Sequence, residues 1–199
     1  PITGSKAMTG TAANDAPTAS NLNAAETYTE DTALNLTAIV VSDIDSASVT
    51  ATLTLSNAAA GSLNTATSGA VTSTYNAGTG VWSASGAMAN VNTLLAGLTF
   101  TPALNFNANF TIATSISDGV AAPITGSKAM TGTPVNDAPT ASNLSAGETY
   151  TEDTALNLAD IVVSDVDSAS VTATLTLSNA AAGSLNTATS GAVTSTYNA

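Results

Sequence analysis

Residues 1–77 return, nearly letter for letter, as residues 123–199, so the chain is built on a period of 122 residues. Only seven of the 77 aligned pairs differ: Ala12/Pro134, Ala13/Val135, Asn23/Ser145, Ala25/Gly147, Thr37/Ala159, Ala38/Asp160 and Ile44/Val166. A period this long is a small domain rather than one turn of a solenoid, and it is large enough to bury a core of its own. Residues 14–135 then read as one complete repeat. Residues 136–199 read as the first four strands of the next, and residues 1–13 as the last strand of an upstream copy. The piece 136–199 has no counterpart of Trp82, Phe110 or Asp118, which predicts an open sheet edge and an unfilled core unless more chain, or another chain, completes it. Near-identical copies suit reach, repetition or assembly better than a tailored active site.

The charged residues narrow the function further. There are 14 acids against two lysines, with no arginine, histidine or cysteine, for a net charge of −12. Nucleic-acid binding takes phosphate-neutralising Lys and Arg, so no nucleic-acid partner is expected. An anionic membrane surface repels such a chain, and no run approaches the roughly 18 apolar residues of a membrane span. Lack of His removes the usual general base and the usual zinc or copper ligand, and lack of Cys removes disulfides and thiolate sites. A non-enzymatic chain is the expectation.

Alternation of period two dominates the pattern. Val49, Ala51, Leu53 and Leu55 alternate with Thr50, Thr52 and Thr54; Phe110, Ile112, Thr114 and Ile116 alternate with Thr111, Ala113 and Ser115. Leu34, Leu36, Ala38 and Val40 read as a third strand, Val71, Ser73 and Tyr75 as a fourth, and Ile2–Thr11, repeated from Ile124, as another. Residues 89–98 break the pattern: Val91, Leu94, Leu95 and Leu98 fall at helical spacing, behind Asn90 as an N-cap. Trp82 precedes this turn and reads as a core plug, and Pro102 as the end of an extended segment. The expected fold class is all-β: tandem immunoglobulin-like antiparallel β-sandwiches of about seven strands each, with one short helical turn. Asn14-Asp15-Ala16-Pro17 and Asn136-Asp137-Ala138-Pro139 mark the junctions.

The acids avoid the strand faces. Asp15 and Asp137 sit in the junctions, Asp43 and Asp45 (matched by Asp165 and Asp167) in the loop after the second strand, and Asp118 before Gly119. Glu30 and Asp31, matched by Glu152 and Asp153, follow the first strand. Folding the strands up and down puts the junction, the Asp43–Asp45 loop and the Asp118 loop at one end, and Glu30 and Asp31 at the other. Two carboxylates about 4 Å apart repel by about 4 kcal/mol at an effective dielectric near 20, so such a gathering calls for a cation. Oxygen donors alone select a hard one, Ca²⁺ before Mg²⁺. The plainer reading makes them solvated loop acids. Glu26 and Glu148 are the weakest candidates and are expected as exposed strand residues.

Asn136-Asp137-Ala138-Pro139, then Glu152-Asp153-Thr154-Ala155-Leu156, then Val163-Ser164-Asp165-Val166-Asp167 resembles the cadherin-like repeats of giant bacterial surface and secreted adhesins. Asn92 to Pro102, with Asn105-Phe106-Asn107 and Ser117-Asp118-Gly119, is similar to the second half of such repeats. The resemblance implies a calcium-stiffened array outside the cell, secreted to or displayed on a bacterial surface, with roles in attachment or biofilm cohesion. It implies ligands at Asn14, Asp15, Asp43, Asp45 and Asp118, and at Asn136, Asp137, Asp165 and Asp167, with Glu30 and Asp31 contributed by the preceding repeat. The partners expected are neighbouring repeats. Lateral self-association into a filament or sheath, and a glycan or cell-surface ligand, stand as alternatives.

Overall fold

In the computed structural model, which describes residues 1–198, the alternating runs become strands wherever a partner lies beside them. The chain divides into two units, Pro1–Val135 and Asn136–Ala199. The first holds β1 (Thr18–Ser20), β2 (Glu26–Thr29), β3 (Leu34–Asn35), β4 (Val40–Ser42), β5 (Ser48–Leu55), β6 (Gly61–Leu63) and β7 (Thr67–Ser68). It continues with β8 (Val71–Thr72), β9 (Thr74–Asn76), β10 (Val81–Ala87), helix α1 (Met88–Ala96), β11 (Thr99–Pro102), β12 (Phe110–Ser117) and β13 (Ile124–Thr133). The main sheet has six strands in the order β2-β13-β12-β5-β10-β9; β3-β11-β6 form a second, and β1-β4 and β7-β8 are short pairs. All pairings are antiparallel except β13 with β2. The protein is mostly β with several sheets, as the alternation predicts.

The inward residues of these strands form one buried cluster. Trp82, Phe100, Leu53, Ile112 and Ile116 are fully buried, and Val91, Leu94 and Leu95 bring the apolar stripe of α1 onto it. Trp82 fills the centre as expected, and its indole N–H donates to the Asn64 carbonyl at 3.0 Å. Tyr28 packs edge-on to Phe100 and Phe110, with centroids 5.3 and 5.9 Å away. β11 ends at Pro102, as the missing N–H requires.

Several sequence expectations give way to local polar bonds. The run Leu34–Val40 is two strands, because Thr37 leaves the sheet to bind Glu26 through its N–H (2.8 Å) and hydroxyl (3.2 Å). Burial consequently changes phase, from Leu36 to Ile39 and Val41. Val71–Tyr75 splits into β8 and β9, where the N–H and hydroxyl of Ser73 both turn to Ala66. About seven expected strands thus become thirteen, nine of them of four residues or fewer. Asn90 is not the N-cap: α1 begins earlier, at Met88, with Ala87 at the N-cap position and no side-chain cap, and Asn90 accepts the Ser68 hydroxyl at 3.4 Å. Residues 1–17 form no strand, although Pro1–Thr11 and Pro123–Thr133 are identical. β13 is a strand because β12 and β2 flank it.

The largest correction concerns Glu26. It is buried, not an exposed strand residue, and accepts the ammonium of Lys128 at 3.0 Å; Lys128 is 1% exposed. Lys128 also donates to the Thr37 carbonyl at 3.0 Å, so the pair and its loop close a small polar network. Lys128 shares the inward phase of β13 with Gly126, Met130 and Gly132. A Cβ on Gly132 would stand 2.1 Å from the Asn107 carbonyl oxygen, so only glycine lets that loop cross the strand.

The second unit contains β14 (Thr140–Ala141), β15 (Val163–Ser164), β16 (Thr189–Ser190) and β17 (Val193–Thr194). Its local hydrogen bonds repeat those of the first unit, but its core face is open. Leu158, Ile161, Val163, Leu175, Leu177 and Leu185 line an open groove of about 530 Å³. Their counterparts Leu36, Ile39, Val41, Leu53, Leu55 and Leu63 are at most 5% exposed, under residues 81–133.

Candidate metal centre

The loops at one end of the six-stranded sheet gather five of the sequence-predicted ligands. Register fixes this: Ser117 at the end of β12 pairs with Thr50 near the start of β5, which places the Asp118 loop beside the loop carrying Asp43 and Asp45. Asn14 and Asp15 are tied in by hydrogen bonds. The Asn14 amide donates to Asp118 Oδ2 at 2.7 Å, and the Asp15 N–H donates to Asp45 Oδ2 at 2.7 Å. Asp43 Oδ1 accepts from the N–H groups of Asp45 (2.9 Å) and Ser46 (2.7 Å), while Asp118 Oδ1 accepts from those of Val120 and Ala121, both at 2.9 Å. These are Asx turns, in which a short carboxylate holds its own loop.

Turn formation accounts for Oδ1 of Asp43 but not for Oδ2. That oxygen is buried and accepts no hydrogen bond. A buried acceptor without a partner forfeits about 1–3 kcal/mol, and more when it carries charge. A hard cation bound to oxygen donors would satisfy it, and Asn14, Asp15, Asp45 and Asp118 supply more such donors in the same loops. As the side chains stand, no three acids among the described residues lie close enough together to enclose a metal ion. The donor set, all oxygen, is of the chemistry that calcium takes.

The Asp118 carboxyl is held below its ordinary value of 3.8, first by the Asn14 amide and then by the Val120 N–H, against a smaller opposing effect of desolvation. A carboxyl depressed in the folded state contributes stability above its ordinary value and loses it as pH falls through the depressed one. Acid therefore loosens this end of the unit below about pH 3.8. Asn14→Ala is expected to move the Asp118 titration upward, read from its carboxyl carbon by NMR. An unmoved titration would show that the amide does not hold it.

Glu30 and Asp31 lie at the other end, beyond Thr29 and Thr133. Glu30 is buried, with one oxygen accepting the Val135 N–H and the other the Asn107 amide at 3.1 Å. Asp31 adopts a left-handed backbone (φ 58°) and accepts the Asn105 N–H at 2.9 Å. These two side chains brace the exit of β13 and the residue 105–107 loop. In the second unit Asp165 Oδ1 accepts from Asp167 (2.9 Å) and Ser168 (2.7 Å), Asp137 donates its N–H to Asp167, and the Asn136 amide donates to the Asp137 carbonyl. Glu152 and Asp153 are exposed, and Asp153 repeats the left-handed φ at 59°. Glu148 is exposed as expected and accepts the Ala159 N–H at 2.8 Å, as Glu26 accepts that of Thr37.

Sequence reasoning missed Lys128 and Asn92. The Asn92 amide both donates to and accepts from the backbone of Val41, at 2.9 and 2.8 Å, and so fastens α1 to β4. A signal for Lys128 was present: both lysines occupy the same repeat position, in phase with Ile124 and Met130. No protein-family model matches the chain, and no curated protein matches it.

Proposed function

We propose that the chain is a non-enzymatic structural segment of a repetitive extracellular protein of a bacterial surface. In this reading its repeats are cadherin-like β-sandwiches stiffened by calcium at the inter-repeat junctions. The observation that carries the reading is the buried, unpartnered Asp43 Oδ2, in a set of loops at one end of the sheet that also carries Asn14, Asp15, Asp45 and Asp118. The motif resemblance supports it from the sequence side. Calcium would replace repulsion between carboxylates with shared ligation, and Asp165, Asp167, Asn136 and Asp137 would serve the next copy in the same way. Glu30 and Asp31 lie at the opposite end and are engaged within their own repeat, Glu30 by the Val135 N–H and the Asn107 amide and Asp31 by the Asn105 N–H, so they stand outside this ligand set.

Calorimetric titration of the full chain with calcium is expected to give a dissociation constant of about 0.1–1 mM, the range of extracellular modules. At 10 mM calcium this corresponds to roughly 1.5–3 kcal/mol of added stability, read as a higher melting temperature. Asp43→Asn is expected to weaken binding at least about tenfold. No calcium heat and no melting shift at 10 mM would sink the reading. An unchanged maximum dimension by small-angle scattering with and without EGTA would sink the stiffening while leaving the binding.

A further inference from the structure

The exposed charges of residues 14–135 are confined to the two ends. Of seven acids, Glu26 and Glu30 are buried; Asp15, Asp43, Asp45 and Asp118 lie in the loops at one end and Asp31 at the other. The only cation, Lys128, is buried. The outer face of the six-stranded sheet is consequently free of charge in a chain of net charge −12. Register sets its residues in rows. Thr125, Ser115, Thr52, Ser83 and Thr74 stand side by side across five adjacent strands, and none is buried. The next row, two residues along, is Ser127, Ala113, Thr54, Val81 and Asn76.

We propose that this hydroxyl face is a self-association surface, and that its occupant is the same face of a second copy of the chain. Three properties single out a second copy. A hydroxyl both donates and accepts, so a row of hydroxyls is complementary to its own image across a two-fold axis. The side chains are short and none is charged, so two like-charged chains meet here without the repulsion their acidic ends would produce. Strands about 4.8 Å apart and 3.3 Å per residue give a face of about 25 by 25 Å, hence about 600 Å². Two such faces bury about 1,200 Å², the lower end of specific interfaces. The association is therefore weak for a single pair of repeats, and successive repeats strengthen it by raising the effective concentration of the next pair. Calcium has no part in it.

Sedimentation velocity of the full chain over a concentration series, in EGTA and in about 0.5 M salt, tests the proposal. A reversible dimer that survives both conditions is expected. Thr52→Glu with Ser115→Glu sets four carboxylates against one another across the two-fold axis and is expected to raise the dimer dissociation constant at least about tenfold. Thr125→Glu alone, at the side of the same row, is expected to act in the same direction and gives a reading should the double variant fail to fold. Hydrogen exchange on β5 and β12 of the parent is expected to slow as concentration rises. A monomer at every concentration would overturn the proposal. So would a dimer that the glutamates leave unchanged, which would place association on the open groove of the second unit, or one that forms only with calcium, which would place it on the acidic ends.

Discussion

Lys128→Met lowers the unfolding free energy of the first unit by about 3–5 kcal/mol, the cost of leaving a buried charge without its partner. Trp82 reports the effect cleanly, because it is the only tryptophan of the chain and is fully buried in that unit. A urea titration followed by its fluorescence is the measurement. The magnitude is large because Lys128 is 1% exposed and its ammonium meets Glu26 Oε1 at 3.0 Å, with little water to screen the carboxylate left behind. Replacing both residues, Glu26→Leu with Lys128→Met, removes the stranded charge and recovers part of the loss. Recovery is incomplete because the Thr37 N–H and carbonyl lose their partners along with the pair. A single-variant cost below about 1 kcal/mol would mean that the pair behaves as a surface salt bridge.

The second large effect comes from a comparison that the repeat itself supplies. Leu53 and Leu175 occupy the same repeat position within identical flanking sequence, Val-Thr-Ala-Thr-Leu-Thr-Leu. Leu53 is fully buried between β10 and β12, whereas Leu175 is 48% exposed along the open groove of the second unit. Leu53→Ala is expected to cost about 2–5 kcal/mol, for the lost transfer energy and the cavity. Leu175→Ala is expected to stay within about 0.5 kcal/mol. The Trp82 urea midpoint reads the first, and the melting of the whole chain by circular dichroism reads the second. Equal costs at the two positions would show that the second unit closes its core by some other packing. Local sequence cannot explain a difference, since it is the same in both copies; only the residues that arrive later in the chain can.

The alternation of hydrophobic and hydroxyl residues made the main sheet legible. β5 and β12 follow it residue by residue, β13 was read as a strand from Ile124 without its inward Lys128, and the helical spacing of Val91, Leu94 and Leu95 marked α1. Strand breaks were not legible, because they come from side chains that capture the backbone from a distance. Glu26 reaches Thr37 across 11 positions, and Asn92 reaches Val41 across 51. Grouping the acids by strand direction put Asn14, Asp15, Asp43, Asp45 and Asp118 at one end, and the register agrees. The inward turn of Glu26 stayed hidden because its partner lies 102 residues away. A carboxylate on a strand reads as exposed until the lysine that neutralises it is known.

Burial of Lys128 also reaches into how the fold meets enzymes that cut protein chains. Residues 14–135 contain no arginine and one lysine, and that lysine lies in the middle of a ten-residue strand held on both edges. A protease that reads basic side chains has no handle on residues 14–135 while they are folded, and gains one only when β13 leaves the sheet; the exposed Lys6 lies outside them. The ion pair that fixes the strand therefore also guards the peptide bond beside it.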